Sequence, residues 1–312
     1  MIHDSFDVIV IGAGPAGMMA AGQAASLGAT VAILEKMPRP GRKLLLTGNG
    51  RCNLTCNRDA RAFLSDCGPS GPFLRKAVGR FDPARTRAFF EALGLSIVAE
   101  PDNRCFPVTE RAEDVLMALR KYLADHHVIL ECGVPVSAIA PGPDGFTVTS
   151  DQRTFRARAV VIATGGCSYP GTGSTGDGYR LAKLLGHHLV DPRPAEVPLI
   201  IEDPWGDELA GLSLIDAGIR GRQEQSVASA RGAILFTHDG LSGPAVLDFS
   251  RLTARWQRPF EALIDLVPDQ PTAGLDARLA RDFENHGRRS LAGILEVFAP
   301  LRLARWIALS DP

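Results

Sequence analysis

The sequence predicts an α/β protein, with a parallel sheet and crossing helix in a first domain and a β-rich, then helical, second domain. Three observations lead there. Phe6–Ile11 is a short β-branched run without polar alternation, the pattern of a parallel strand buried on both faces. A glycine-rich turn, an Ala/Met-rich helical segment and a second β-branched run at Thr30–Leu34 follow it directly. After about Pro192 the texture changes to strand-like runs separated by charged or glycine-containing turns.

Pro15–Leu27 reads as a helix because proline in the first turn sacrifices no needed N–H, and Gly28 ends it. Pro38–Asn57, rich in Gly, Arg and Asn, reads as a long loop, and loops of that length are usually functional or disordered. Pro83–Leu93 and Arg111–Asp125 read as amphipathic helices. His127–Glu131, Val136–Ala140, Phe146–Thr149 and Thr154–Arg156 read as short strands, the last two joined by a hairpin at Asp151-Gln152. Ala159–Ala163 reads as a further buried strand, and Gly178–Leu185 as a helix. Beyond the change of texture, strands are expected at Val197–Ile201, Leu212–Ile219, Ala233–Thr237 and Phe260–Leu266. Helices are expected at Ala273–Asn285, Ser290–Phe298 and Leu301–Leu309. Pro192 and Pro194 place the boundary near 188–195, giving domains of residues 1–190 and 191–312.

Of the 312 residues, 45% are hydrophobic and 22% charged, a globular composition that excludes disordered and collagen-like chains. Lys and Arg (34) nearly balance Asp and Glu (35), so net charge offers no electrostatic case for a nucleic-acid partner, and none is expected. Six cysteines show no CxxC pair and no zinc spacing, so no metal is expected and the thiols read as reduced, in a cytoplasmic protein. Val8–Leu34 lacks charge over a length that could span a bilayer. Its six interior glycines and prolines, with β-branched residues at its ends, read instead as strand, helix, strand, so no membrane partner is expected.

Gly12-Ala13-Gly14-Pro15-Ala16-Gly17 is a GxGxxG between a strand and a helix. Gly12 allows the tight turn, Gly14 admits a pyrophosphate to the backbone, and Gly17 lets the helix close on the sheet. The helix N-terminus offers unpaired N–H groups and a positive dipole end. Glu35, 23 positions beyond Gly12, stands near the spacing of about 20 at which a carboxylate receives ribose hydroxyls. It would repel a 2′-phosphate. Gly41-Arg42-Lys43 and Gly48-Asn49-Gly50-Arg51-Cys52-Asn53 then offer amides and cations to a pyrophosphate and a flavin edge, which favours FAD over NAD; the alternative is a solvated basic loop. Thr164-Gly165-Gly166 caps a strand, and Asp177 opens a helix either as a plain N-cap or as a cofactor contact.

The stretches Asp7–Gly17 (DVIVIGAGPAG), Gly41–Thr55 (GRKLLLTGNGRCNLT), Arg104–Leu119 (RCFPVTERAEDVLMAL), Val161–His187 and Ile234–Leu247 (ILFTHDGLSGPAVL) occur in order over most of the chain. In them the sequence resembles the YhiN/BaiN-like, or aminoacetone-oxidase-like, FAD-dependent oxidoreductases of the glutathione-reductase and fumarate-reductase type of fold. The resemblance implies an FAD held by Gly12, Gly14, Ala16, Gly17, Glu35, Lys36, Arg42, Lys43, Gly50, Arg51, Cys52 and Asn53. Backbone near Val136 would lie on the adenine side, and Thr164, Gly165, Gly166 and Asp177 would complete the site. It also implies an inserted substrate domain, and a late strand and glycine-rich turn of which residues up to Pro312 show no counterpart. The expectation is therefore a first domain without its C-terminal segment and an unfinished insert.

The chemistry expected is hydride transfer between a small substrate and flavin, with NAD(P)H or another electron partner. Alternatives are a C=C reductase of the fumarate-reductase type, an amine oxidase, and a non-catalytic nucleotide-binding module. His238, in Phe236-Thr237-His238-Asp239-Gly240, is the candidate acid or base, with a structural loop histidine as the competing reading. Arg51 and Arg104 are candidates for a substrate carboxylate, with surface or pyrophosphate roles equally open. Cys52 beside Arg51 reads either as a low-pKa thiol or, preferably, as a packing or flavin-contact residue.

Overall fold

The computed structural model describes residues 4–310 other than 152, 203, 204, 286 and 288. The chain forms two compact units, Met1–Leu189 and Val190–Pro312.

The first unit begins with β1 (Ser5–Ile11), α1 (Pro15–Ser26) and β2 (Val31–Glu35). The expected Pro38–Asn57 loop contains a 3-10 segment, Leu44–Gly50, whose Thr47, Gly48 and Asn49 leave helical backbone angles. There follow β3 (Thr55–Cys56), α2 (Ala60–Asp66), α3 (Gly71–Arg80), α4 (Pro83–Ala92), β4 (Ile97–Ala99), β5 (Arg104–Pro107) and α5 (Ala112–Asp125). The unit closes with β6 (Ile129–Cys132), β7 (Val136–Gly142), β8 (Gly145–Ser150), β9 (Thr154–Ile162) and α6 (Asp177–Leu184).

Six strands form one sheet in the order β6-β2-β1-β9-β8-β7. The pairs β6–β2, β2–β1 and β1–β9 are parallel, and β9–β8 and β8–β7 antiparallel. Val8–Ile11 of β1 and Val31–Leu34 of β2 are apolar because the sheet is covered there on both faces. Val10, Val31 and Ile33 pack with Met18 of α1 and Leu119 of α5, while Ile9, Ile11 and Leu34 pack with Val148, Phe155 and Leu181. Ile9 and Ile33 are fully buried, each contributing about 1.5–3 kcal/mol relative to exposure. The uncharged stretch is thus two strands and a helix with one buried face, and among the described residues no helix is long and apolar enough to cross a membrane.

The two strands expected at Thr154–Arg156 and Ala159–Ala163 are one continuous β9. Its first half alternates exposed and buried residues against β8, and its second half is half-buried beside β1, so one strand carries two sequence textures. The hairpin turn expected at Asp151-Gln152 falls partly outside the described residues, at 152. A small separate sheet has the order β3-β5-β4.

The second unit contains β10 (Leu199–Ile200), β11 (Ser213–Gln223), β12 (Ser226–Phe236), β13 (Gly240–Ser242), α7 (Pro244–Leu252), β14 (Ala262–Asp265), α8 (Thr272–Asn285), α9 (Leu291–Leu295) and α10 (Leu301–Ser310). Its antiparallel sheet runs β10-β13-β12-β11-β14. Leu214, Ile219, Ile234 and Phe236 pack against Val246 and Phe249 of α7 and Leu303 of α10. β12 starts seven residues before the run at Ala233, because Ser226–Gly232 has weak strand propensity and is held by pairing with β11.

Candidate functional site

The site lies in the first unit, at the carboxyl ends of β1, β2 and β9, where ligands bind in open α/β sheets. A cleft of about 300 Å³ is lined there by Gly12–Ala16, Glu35, Arg39, Gly41–Leu44, Ala163–Gly165 and Thr172–Ser174.

Gly12 turns the chain out of β1 at φ +103°, a left-handed conformation that glycine adopts without strain. A Cβ on it would stand 2.6 Å from the Ala163 carbonyl oxygen, so glycine is also what lets β1 and β9 end side by side. A Cβ on Gly17 would stand 1.9 Å from the Gly12 carbonyl oxygen, which makes Gly17 a packing residue of α1 and not part of the cleft wall. Gly14 differs: a Cβ there would meet nothing within 4 Å, and the residue lines the cleft. It is the N-cap of α1 and offers no side-chain acceptor, so the amides of the first turn, Ala16 among them, remain available to an anion.

Glu35 ends β2 with both carboxylate oxygens engaged. Oε2 accepts from the Ala13 N–H at 2.7 Å and Oε1 from the Met37 N–H at 2.8 Å. These bonds tie the glycine turn to the strand end, and each oxygen keeps a second lone pair for a hydroxyl. Arg39, Arg42 and Lys43 bring positive charge to the same cleft, and Lys43 Nζ donates to Ser168 Oγ at 3.0 Å.

A narrow recess adjoins the cleft, lined by Ile11, Leu34, Val134, Val136 and Leu181 together with Lys36 and Asp177. Lys36 Nζ donates to Thr175 Oγ1 and Asp177 Oδ2, both at 2.6 Å. Burial by itself would raise the Asp177 carboxyl, but the Lys36 ammonium and the Thr175 hydroxyl outweigh it and hold the group below the usual carboxylate range. Asp177 is the first residue of α6, and the N-cap is Gly176, so the plain N-cap alternative does not describe it. Gly165 lies in the cleft, whereas the Gly166 carbonyl accepts from the Gly176 N–H at 3.1 Å and braces the turn before α6.

The remaining candidates stand elsewhere. Arg51 Nη1 binds Glu100 Oε1 at 2.7 Å and Glu110 Oε1 at 3.2 Å, with its guanidinium 4.0 Å from the centre of the Phe106 ring. Arg104 pairs with Asp102 and Glu100 and approaches the same ring. Both guanidiniums are therefore committed to one ion network, and neither lines the cleft. The Asn53 side chain accepts from the Cys105 N–H at 3.3 Å, and Gly50 closes the 3-10 segment. Cys52 is buried, and burial pushes its thiol up against a weaker opposing hydrogen bond with Thr47; this is the environment of a packing cysteine, not of a reactive thiolate. His238 belongs to the second unit, where its Nδ1 lies 2.9 Å from Asp207 Oδ1 and both side chains are largely exposed.

Sequence reasoning missed Arg39 and Thr172 as cleft residues. The signal for Arg39 was present, as a cation in the same run as Arg42 and Lys43. Thr172 faces the cleft only because β9 and α6 fold back beside β1.

Residues 6–287 match the HI0933-like protein Rossmann domain. The chain is 32% identical over 307 residues to the ribosomal RNA dihydrouridine synthase of Escherichia coli, covering 96% of this chain and 72% of that one. It is 33% identical over 269 residues to the 3-dehydro-bile acid delta(4,6)-reductase of Clostridium scindens, covering 83% and 64% respectively. Among solved structures, the open conformation of a flavocytochrome c3 fumarate reductase aligns with a TM-score of 0.47 and 21% identity, over 58% of this chain and 40% of that one. The glycine turn, the Glu35 brace and the family match over nearly the whole chain agree: this chain belongs to the HI0933-like Rossmann family.

Proposed function

We propose that the chain is an FAD-dependent oxidoreductase acting as a reductase of conjugated C=C bonds. The observation that carries the FAD reading is the convergence, in one cleft, of an uncapped helix N-terminus, a Gly14 position open to close approach, the Glu35 carboxylate and three cations. These residue types fit a dinucleotide. The α1 amides with Arg39, Arg42 and Lys43 would neutralise the pyrophosphate, Glu35 would receive ribose hydroxyls, and the apolar recess at Val134 and Val136 would take the adenine side. The recess is small, about 30 Å³, with the Lys36–Asp177 pair in its lining.

FAD, when bound, supplies a hydride donor and acceptor. The reductive direction is supported by the names of two relatives. A dihydrouridine synthase and a delta(4,6)-reductase both saturate a C=C bond conjugated to a carbonyl. In the balanced reaction the substrate carbon pair gains a hydride and a proton, and a reduced nicotinamide loses the hydride. His238 is kept as the proposed acid or base, whereas Arg51 and Arg104 would have to leave Glu100, Glu110 and Asp102 to receive a substrate carboxylate.

The test is purification followed by incubation with FAD, then anaerobic reduction by NADH or NADPH and titration with an α,β-unsaturated ketone or a uridine-containing RNA. A yellow protein that bleaches on reduction and recovers colour with one of these acceptors is expected. A protein that stays colourless after incubation with FAD refutes the cofactor assignment. One that recovers only with oxygen refutes the C=C reductase.

A further inference from the structure

Among the described residues four serines and threonines are buried: Ser150, Ser174, Ser250 and Thr253. A buried hydroxyl is normally hydrogen-bonded, because leaving it without a partner costs its lost hydration. Three of the four follow the rule inside the fold. Ser150 Oγ donates to the Arg153 carbonyl at 3.2 Å, and Thr253 Oγ1 to the Phe249 carbonyl at 3.0 Å. Ser250 Oγ donates to the Leu247 carbonyl at 2.8 Å and accepts from the Val197 N–H at 2.9 Å. Ser174 is only 7% exposed, yet its hydroxyl makes no bond to another described residue. No fully buried side-chain N or O among the described residues lacks a partner, so the Ser174 hydroxyl keeps contact with the molecular surface. The surface available to it is the cleft, which Ser174 lines.

Its place in the cleft is fixed by two glycines. A Cβ on Gly165 would stand 3.0 Å from Ser174 Oγ, so the bare Gly165 backbone leaves the hydroxyl uncovered. The preceding residue, Gly173, packs on the segment after β2: a Cβ there would stand 2.7 Å from Met37 Cγ, and the Met37 N–H is bound to Glu35 Oε1. Thr164 and Gly173 line both the cleft and the adjoining recess, which puts Ser174 near the junction of the two. We propose that Ser174 Oγ is a ligand of the ribose–phosphate link in the adenosine half of the bound dinucleotide. This deepens the FAD reading of the cleft, on which it rests. That junction lies where the proposed pyrophosphate site meets the proposed adenine side. The cleft cations come from Arg39, Arg42 and Lys43, whereas its Ala163–Gly165 and Thr172–Ser174 segments carry no charge. Ser174 therefore adds direction and not charge: a hydroxyl donates one hydrogen bond and accepts others, which suits a phosphate oxygen and a sugar hydroxyl alike.

The experiment compares the full chain with its Ser174→Ala and Ser250→Ala variants. Urea unfolding without ligand reads the structural role of each hydroxyl. Calorimetric titration with FAD, and with ADP, which carries the adenosine half without ribitol or flavin, reads the binding role. Ser174→Ala is expected to keep the parent's urea midpoint, since no bond within the fold is lost, while Ser250→Ala lowers it. The same Ser174→Ala variant is expected to bind FAD and ADP about three- to tenfold more weakly, by the same factor for each, as the loss of one hydrogen bond does. A lowered midpoint in Ser174→Ala would make the hydroxyl structural and overturn the assignment. So would unchanged affinity for both ligands in a parent that binds them, or a loss confined to FAD, which would move the hydroxyl to the flavin half. A parent chain that binds neither FAD nor ADP refutes the cofactor reading itself, an outcome distinct from a parent that binds both with Ser174→Ala unaffected.

Discussion

Replacing Glu35 by Gln separates two roles that one carboxylate performs. In the folded chain each oxygen takes one backbone N–H, from Ala13 and from Met37. Glutamine keeps one carbonyl oxygen and turns an NH₂ toward the other amide, so one bond is lost and one becomes neutral. Hydrogen bonds to charged groups contribute about 1.5–3 kcal/mol, and Glu35 is half-buried, so a destabilisation near 1.5 kcal/mol is expected without any ligand. The same change removes a charged acceptor from the proposed ribose position, and a further 1.5–3 kcal/mol corresponds to roughly 10–150-fold weaker FAD binding. Urea unfolding with and without FAD measures the first, and flavin fluorescence titration the second. Lost stability with unchanged FAD affinity would mean that Glu35 only braces the glycine turn. Unchanged stability would contradict the geometry itself.

The two other glycines of the turn should respond differently. Gly17→Ala forces a Cβ to 1.9 Å from a backbone carbonyl, so overpacking should cost about 1–3 kcal/mol or more in urea unfolding. Gly14→Ala meets nothing within 4 Å and should leave stability near that of the parent while weakening FAD binding; equal effects of the two on stability would refute the distinction. The Asp177 carboxyl is held below its usual value of 3.8, so its stabilisation is present above that pH and lost as pH falls through the lowered folded value. Asp177→Asn should therefore flatten the acid limb of the urea midpoint below about pH 4, and an unchanged limb would dismiss the Lys36 pairing. In thiol labelling at neutral pH, exposed Cys167 should react well before buried Cys52; comparable rates would contradict the packed Cys52 site.

Much of the cleft was legible because its determinants are local. Gly12, Gly14 and Glu35 lie within one strand–turn–helix–strand passage, whose spacing follows from fixed rises along strand and helix. The loop from Arg42 to Asn53 was only half legible. Arg42 and Lys43 reach the cleft, while Gly50, Arg51, Cys52 and Asn53 brace the 3-10 segment and the small sheet. Sequence proximity to Arg42 gave no warning, because the partners that claim Arg51, Glu100 and Glu110, lie about fifty residues away. Likewise a net charge summed over 312 residues said nothing about Arg75, Lys76 and Arg80 of α3, exposed and without a carboxylate partner among the described residues.

The α/β class, the order of the first three elements and the identity of the glycine turn were readable in the order of residues alone. Strand burial and helix starts are written in short-range pattern, and backbone geometry leaves few alternatives. Which carboxylates reach which cations was settled by the folded arrangement. A guanidinium beside a motif becomes a ligand-binding group or a structural ion pair according to which carboxylates the fold carries to it. That depends on long-range packing, as Arg51, engaged by Glu100, and Arg75, exposed and without a carboxylate partner among the described residues, show.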